Sequence, residues 1–120
     1  MPTGFLTDYG PTVHVVRNLL GLTRHELAAQ LEVSMDTLRS WEVGRRPVPE
    51  NVPAELQSLQ DRATAEVAHY LQAHQDRPDL PPVFLIEHDP EMMPAGWQLR
   101  IAARVAAHLP QLRVISQGQA

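Results

Sequence analysis

A chain of 120 residues is long enough for one modest domain, or for a compact domain joined to a short second unit. It contains no cysteine, which excludes disulfides, thiolate metal sites and a cysteine nucleophile, and which is typical of a reducing cytoplasm. The net charge is −4, so any affinity for nucleic acid must come from the placement of its ten basic residues, all of them arginine. No apolar run is long enough to span a membrane and residues 1–10 do not read as a secretory signal, so we expect a cytoplasmic protein.

The first half of the chain has the pattern of several short helices. Residues 1–10 are expected to be a flexible segment, in which Phe5, Leu6 and Tyr9 could fold back onto a neighbouring element. From Pro11 onwards, valines and leucines recur at helical spacing until Gly21 stops the run, which predicts a first helix. Thr23 and Glu26 have the spacing of a capping box, in which each side chain accepts a hydrogen bond from an otherwise unpaired backbone N–H. A second helix is therefore predicted to begin here.

A third helix is predicted to follow after a short connection. Ser34 is suited to cap its first turn, and Gly44 to end it. Two short helices that cross at a steep angle need a small residue where they touch, and Ala28 is in position to provide it, while Val33 fills the turn. The other apolar residues of this stretch are expected to form a small core that fixes one helix against the other: Leu27, Leu31, Leu38 and Trp41.

The second half predicts one longer helix and then a small unit that mixes strand and helix. Residues 51–75 carry apolar side chains along one side of a helix. The proline-rich segment 76–82 is the expected domain boundary. Residues 83–87 have the composition of a short strand that is apolar on both faces, and apolar residues spaced by four from 97 to 109 predict a last helix.

The core predicted between the second and third helices indicates a function. It is too small for any purpose other than holding the third helix with its other face outward, which is how a recognition helix enters the major groove of DNA. The same apolar spacing and a Trp/Tyr-Glu-x-Gly-Arg ending recur in helix-turn-helix regulators of the phage lambda repressor and Cro type, which this third of the chain resembles. The matching residues are Leu22 to Ser34, Leu38, and Trp41 to Arg45.

The resemblance also bears on the frame of the motif. Glu32 stands where the family usually has a glycine in the left-handed conformation, so we expect a slightly altered or lengthened turn. Arg17 and Glu42 match a pair that is usually internal in the family. The resemblance therefore implies an ion pair between them, with the structural role of tying the first helix to the recognition helix.

The resemblance further implies which side chains contact DNA. Those expected on the exposed side of the recognition helix, facing base edges, are Met35, Asp36, Arg39 and Ser40. Arg39 is the leading candidate because arginine can bond guanine O6 and N7 together, while Asp36 would accept from a cytosine amine or orient Arg39. Contacts to phosphates are expected from Thr23, Arg24, Ser34, Thr37, Arg45 and Arg46.

The expected fold is therefore mostly α, with a helix-turn-helix bundle of four to five helices over residues 11–75 and a strand-and-helix unit over residues 76–120. Residues 11–50 hold five arginines and five acidic residues, so DNA affinity would be modest and salt-sensitive and would need two copies acting together. Two copies would place their recognition helices about 34 Å apart on an inverted-repeat site.

The predicted strand at 83–87 offers a way to form such a pair, because its backbone N–H and C=O groups need partners. Either residues 112–115 supply a second strand within the chain, or the same strand of a second copy pairs with it across a twofold axis. We prefer the second solution because it also gives two recognition helices, and we expect residues 76–120 to be a dimerisation unit. The side chains assigned to it are Val83, Phe84, Leu85, Ile86, Trp97, Ile101 and Val105.

The overall layout is similar to that of the anti-CRISPR-associated regulators, which repress their own phage operon. These proteins join an N-terminal helix-turn-helix through a helix to a small strand-and-helix dimerisation unit. The residues that carry this resemblance are Trp41 to Arg45, Val48-Pro49, Arg77-Pro78 and Gly96-Trp97-x-Leu99. It implies a homodimeric autorepressor of transcription that binds an inverted-repeat operator in double-stranded DNA.

Other functions are less favoured by the sequence. His69 and His74 are five residues apart and do not share a helical face, so no metal site or other cofactor is expected, and no grouping of residues indicates an enzyme. A basic stripe of Arg100, Arg104 and His108 is expected to be a solvated face or to pair with Glu87 and Glu91, with contact to phosphate or to a partner as the less favoured alternative. The main alternative is an antitoxin whose second half binds a toxin. A small ligand-sensing switch would need a pocket in the C-terminal unit, where room is limited.

Overall fold

A computed structural model of the chain describes residues 4–118 and is mostly α-helical, as predicted. The helices within this range are α1 (Gly10–Leu20), α2 (Arg24–Leu31), α3 (Met35–Glu42), α4 (Val52–Asp76) and α5 (Ala95–His108). Two small sheets accompany them: β1 (Phe5–Leu6) pairs antiparallel with β2 (Val48–Pro49), and β3 (Val83–Ile86) pairs parallel with β4 (Arg113–Ser116). None of the helices in the described part of the chain is long and apolar enough to cross a membrane.

The chain forms two compact units, Met1–Gln60 and Asp61–Ala120, so the division falls inside α4. The boundary expected at the proline-rich segment 76–82 is wrong. The reason is that the second half of α4 belongs to the core of the second unit, where Ala63 and Val67 are buried. Prolines mark where the helix ends, but not where the packing changes.

The first unit packs α1, α2 and α3 around a small apolar core. Gly10 begins α1, and a side chain there would overlap the carbonyl oxygen of Trp41, so glycine allows α1 to start against the end of α3. The buried apolar residues of this unit are Val13, Val16, Leu20, Leu22, Leu27, Ala28, Leu31, Leu38, Trp41, Val48, Val52 and Leu56. The core predicted between the second and third helices is thus confirmed.

The starts of α2 and α3 are fixed by their caps, as the sequence predicts. The Thr23 hydroxyl accepts a hydrogen bond from the Glu26 N–H at 3.1 Å, and the Glu26 carboxylate accepts one from the Thr23 N–H at 2.9 Å. The Ser34 hydroxyl accepts from the N–H of Thr37 at 3.0 Å and caps α3 in the same way. These bonds satisfy N–H groups that have no partner within the helix.

The turn between α2 and α3 contains only Glu32, Val33 and Ser34. Glu32 adopts the left-handed conformation itself, with φ of 57° and ψ of 42°, and the Val33 N–H donates to the Ala28 carbonyl to close α2. The expected alteration or lengthening of the turn is therefore wrong. The backbone takes the conformation that suits glycine, at a steric cost to glutamate of about 1 kcal/mol.

The segment before α1 is a third correction, although Phe5 and Leu6 do fold back onto a neighbour as the sequence allowed. Phe5 and Leu6 form β1 and pair with Pro49 and Val48, so the expected flexible segment is shorter than residues 1–10. Val48 is buried just after α3. This burial places β2 where its backbone can hydrogen-bond with the segment that leads into α1. Residues 1–3 of that segment lie outside the described residues.

The second unit packs α5 and the last part of α4 against the β3–β4 sheet. In this sheet Phe84 lies opposite Val114, and Ile86 opposite Ser116. The Trp97 indole N–H donates to the Glu66 carboxylate, which links α5 to α4, and the Tyr70 ring lies 4.5 Å from that of Phe84. The strand and the helix predicted for this region are present.

The position of β3 corrects the expectation that it pairs with its own copy in a dimer. It pairs with β4 inside the chain, so this edge already has its hydrogen-bond partner. Five of the seven residues assigned to dimerisation are core residues of the second unit instead, because they point at the packed side of the sheet or helix: Phe84, Ile86, Trp97, Ile101 and Val105. Val83 and Leu85 are exposed.

Candidate nucleic-acid interface

The side of α3 that faces away from the core carries three of the four side chains predicted to read bases. Met35 is 40% exposed, and Asp36 and Arg39 are also exposed. Leu38 and Trp41 are buried on the opposite side. Because residues three and four apart share a helical face, Arg39 lies one turn beyond Met35 and Asp36 on the same surface.

Ser40 does not belong to this surface. It is only 6% exposed, so its predicted position on the exposed side of α3 is wrong. The backbone N–H groups of Arg45 and Arg46 both donate to the Ser40 carbonyl, at 2.8 and 3.2 Å, and this folds the turn after α3 back onto Ser40. The helical spacing alone could not reveal a turn that covers one position of the outer face.

The Arg39 side chain is exposed and is not used to hold the fold together. Its side chain makes no hydrogen bond or ion pair with another residue in the range 4–118, and the same holds for Arg45 and Arg46. All three are exposed. They are therefore available for an anionic partner.

Arg17 and Arg24 are used differently, because both bind the carboxylate of Glu42 at the end of α3. Arg17 Nε donates to Glu42 Oε2 at 2.8 Å and Arg17 Nη2 to Oε1 at 3.1 Å, so the predicted ion pair is present. Arg24 Nε donates to Oε1 at 3.2 Å, and His14 Nδ1 lies 3.0 Å from the same oxygen. The side chain of Glu42 is only 1% exposed.

The electrostatics of this cluster favour an ionised carboxylate. Burial on its own would raise the pKa of Glu42, but hydrogen bonds from Arg17, His14 and Arg24 outweigh it and lower the pKa of this carboxyl. Arg17 also donates to the carbonyl of Leu22 at 3.0 Å. One charged residue of α3 is thus held by groups from α1 and α2, which fixes the orientation of α3 in the first unit.

The residues predicted to contact phosphates lie at both ends of α3 and at the start of α2. Ser34 is exposed at the N-terminal end, where its hydroxyl donates to the half-buried Thr37 hydroxyl at 2.9 Å. Arg45 and Arg46 are exposed beyond the C-terminal end. At the start of α2, Thr23 is exposed and engaged in the capping box, and Arg24 is bound to Glu42 with about a third of its side chain exposed.

The basic stripe on α5 lies in the second unit. Arg100, Arg104 and His108 are exposed, and Arg104 donates to the hydroxyl of Thr64 on α4 at 3.1 Å. A solvated face was one of the readings of this stripe, and its exposure agrees with that reading. The second unit also contains a cavity of about 250 Å³, open to solvent, which lies below the volume usual for ligand sites.

Comparisons with known proteins identify no family for this chain: no protein-family model matches the sequence, and no similar curated protein is found. Its function must therefore be inferred from its own residues and their geometry.

Proposed function

We propose that the protein is a sequence-specific DNA-binding regulator of transcription whose helix-turn-helix, residues 12–48, inserts α3 into the major groove. One observation carries this proposal: Arg39 is exposed and has no side-chain partner among the described residues, on a helix fixed from behind by Glu42. A guanidinium in that position can bond O6 and N7 of one guanine together. Phosphate contacts from Ser34, Arg45 and Arg46 at the ends of α3 would set its register on the duplex.

The distribution of the arginines supports DNA as the partner, although the first unit is not strongly basic. Arg17 and Arg24 neutralise Glu42 inside the fold, whereas Arg39, Arg45 and Arg46 remain exposed. Few phosphate contacts imply modest affinity for one copy. A useful affinity for an operator then requires two copies, as the resemblance to autorepressors also implies.

The second unit offers a surface on which two copies could associate. Val83 and Leu85 are 47% and 38% exposed on the outer side of β3. In the described part of the chain the sheet has only two strands, so each strand has one edge without a strand neighbour. We therefore propose a homodimer that binds an inverted repeat and represses its own operon.

The same apolar surface is what favours the second candidate, an antitoxin that covers it with a toxin. The two candidates differ in what occupies Val83 and Leu85. Sedimentation of the purified protein distinguishes them, because a homodimer at micromolar concentration supports the first candidate. Stoichiometric capture of the product of a neighbouring gene, with dissociation of that dimer, supports the second.

The experiment that tests the proposal measures binding to the DNA upstream of the protein's own gene by mobility shift and footprinting. The wild-type protein is expected to protect an inverted repeat, and Arg39→Ala to lose at least about fivefold in affinity for it, since a bidentate arginine–guanine contact is worth about 1–3 kcal/mol. Arg77→Ala is the matched control, because Arg77 is an exposed arginine of the second unit whose side chain, among residues 4–118, pairs only with the exposed Asp79. Equal loss in both variants, or none in Arg39→Ala, would contradict the proposal.

A further inference from the structure

Met35 is a large apolar side chain on an otherwise polar surface. It is the first residue of α3 and is 40% exposed, while Asp36 and Arg39 beside it are exposed and charged. Isolated apolar residues on a surface need no explanation by themselves. Met35 differs from the others because it stands on the face of α3 that the proposed function directs at DNA.

The capped helix sets the direction of this side chain. Side chains of a helix tilt toward its N-terminus, so Met35 and Asp36 extend past the beginning of α3. The hydrogen bond from the Thr37 N–H to the Ser34 hydroxyl, at 3.0 Å, fixes the first turn that carries them. The N-terminal residues of a recognition helix are the ones that reach base edges.

The major groove offers one apolar group to such a side chain. Its base edges present hydrogen-bond donors and acceptors, together with the methyl group on C5 of thymine. A cytosine methylated at C5 presents the same group at the same place. The methionine side chain has no hydrogen-bond donor and only a weak acceptor, so hydrogen bonds to base edges would contribute little binding energy.

We infer that Met35 reads the C5-methyl group of a pyrimidine, next to the base pair that Arg39 contacts. The inference rests on the proposed function, because it names what α3 recognises. Asp36 adds a second requirement, since its carboxylate can accept a hydrogen bond from a cytosine N4 amine. The shared chemistry is a C5-methyl group close to an N4 amine, supplied either by thymine beside cytosine or by 5-methylcytosine alone.

The experiment removes or adds only that methyl group. Wild-type protein first selects its sites from a randomised DNA duplex library. In one arm each thymine of the selected site is replaced in turn by deoxyuridine, and in the other each cytosine is replaced by 5-methyldeoxycytidine. Burying one methyl-sized group changes affinity by about fourfold. A loss of affinity of that size at one position of each half-site in the first arm identifies thymine. A gain of that size in the second arm identifies 5-methylcytosine.

Two variants, both expected to keep the fold, test whether Met35 is the residue that contacts the methyl group. Met35→Gln keeps the length of the side chain but makes its end polar, and its affinity is expected to be the same with and without the methyl group. Met92→Gln is the matched control, because Met92 is 43% exposed but lies in the second unit, and it should keep the wild-type sensitivity. Thermal unfolding curves that superimpose on the wild-type curve establish that both variants are folded.

The failures are distinguishable. A wild-type protein that selects a site but is indifferent to the methyl group at every position of both arms overturns the inference and leaves the proposed function standing. Unchanged methyl sensitivity in Met35→Gln overturns it in the same way. A wild-type protein that enriches no sequence overturns the proposed function itself, and the inference with it.

Discussion

At the scale of single residues, Glu42 is the side chain on which the position of α3 most depends. We predict that Glu42→Gln lowers the free energy of unfolding by about 2 kcal/mol, because hydrogen bonds to a buried charged group are worth more than those to a neutral one. Urea unfolding measures this loss. The control is Asp79→Asn, whose ion pair with Arg77 spans 3.4 Å and has both side chains more than 60% exposed, so that a change of at most about 0.5 kcal/mol is expected.

The pH dependence of stability follows from the same carboxylate. The pKa of Glu42 is lowered in the folded protein, so its ionised form adds stability that is fully present above the pKa of an unfolded glutamate, about 4.3. That stability is lost as the pH falls through the folded-state pKa. The difference between wild type and Glu42→Gln should therefore shrink below about pH 4. A difference that stays constant into acid would show that the charge of Glu42 does not contribute.

Single-residue roles could be predicted from the sequence where they depend on one spacing. The two caps follow from such spacings, whereas the Arg17–Glu42 pair was implied only by the resemblance to the repressor family, and all are present. The participation of Arg24 and His14 in the same cluster could not be predicted, because it depends on how three helices meet. The burial of Ser40 also escaped prediction, since the turn that covers it has no periodic signal.

At the scale of elements, the turn between α2 and α3 is short and strained at one residue. We predict that Glu32→Gly raises the free energy of unfolding by about 1 kcal/mol, because glycine accepts the left-handed conformation without steric cost. The opposite change is Gly21→Ala, at a position with φ of 71° after α1, which should lower stability by a similar amount. Thermal or urea unfolding measures both, and a destabilised Glu32→Gly would mean that the glutamate side chain has a stabilising role of its own.

The helices were predictable as elements because caps and apolar spacing mark them locally. Gly21 ends α1 and Thr23 and Ser34 begin α2 and α3, as their sequence positions indicate. The strands β1 and β2 have two residues each, which is too short for any alternation to appear. The preferred partner of β3, the same strand of a second copy, is wrong because a strand's composition does not say which other strand it meets.

At the scale of the whole molecule, the account requires two copies. We predict that Leu85→Asp converts a dimer into a monomer without unfolding it, because Leu85 is 38% exposed and a carboxylate there would lose its hydration in an apolar interface. Sedimentation measures the change, and affinity for the inverted repeat should fall with it. Leu19→Asp is the control, since Leu19 is 61% exposed on α1 of the first unit. A dimer that survives Leu85→Asp would place the interface elsewhere.

The central claim is that Arg39 of α3 contacts a guanine in the major groove, and interference by methylation at guanine N7 tests it most directly. A methyl group on N7 removes one of the two acceptors that arginine bonds. Methylation of one guanine in each half-site is expected to abolish binding by the wild-type protein. The residual binding of Arg39→Ala should be indifferent to the same methylation. If N7 methylation weakens both proteins equally, or weakens neither, then Arg39 does not read that base and α3 is not the recognition helix described above.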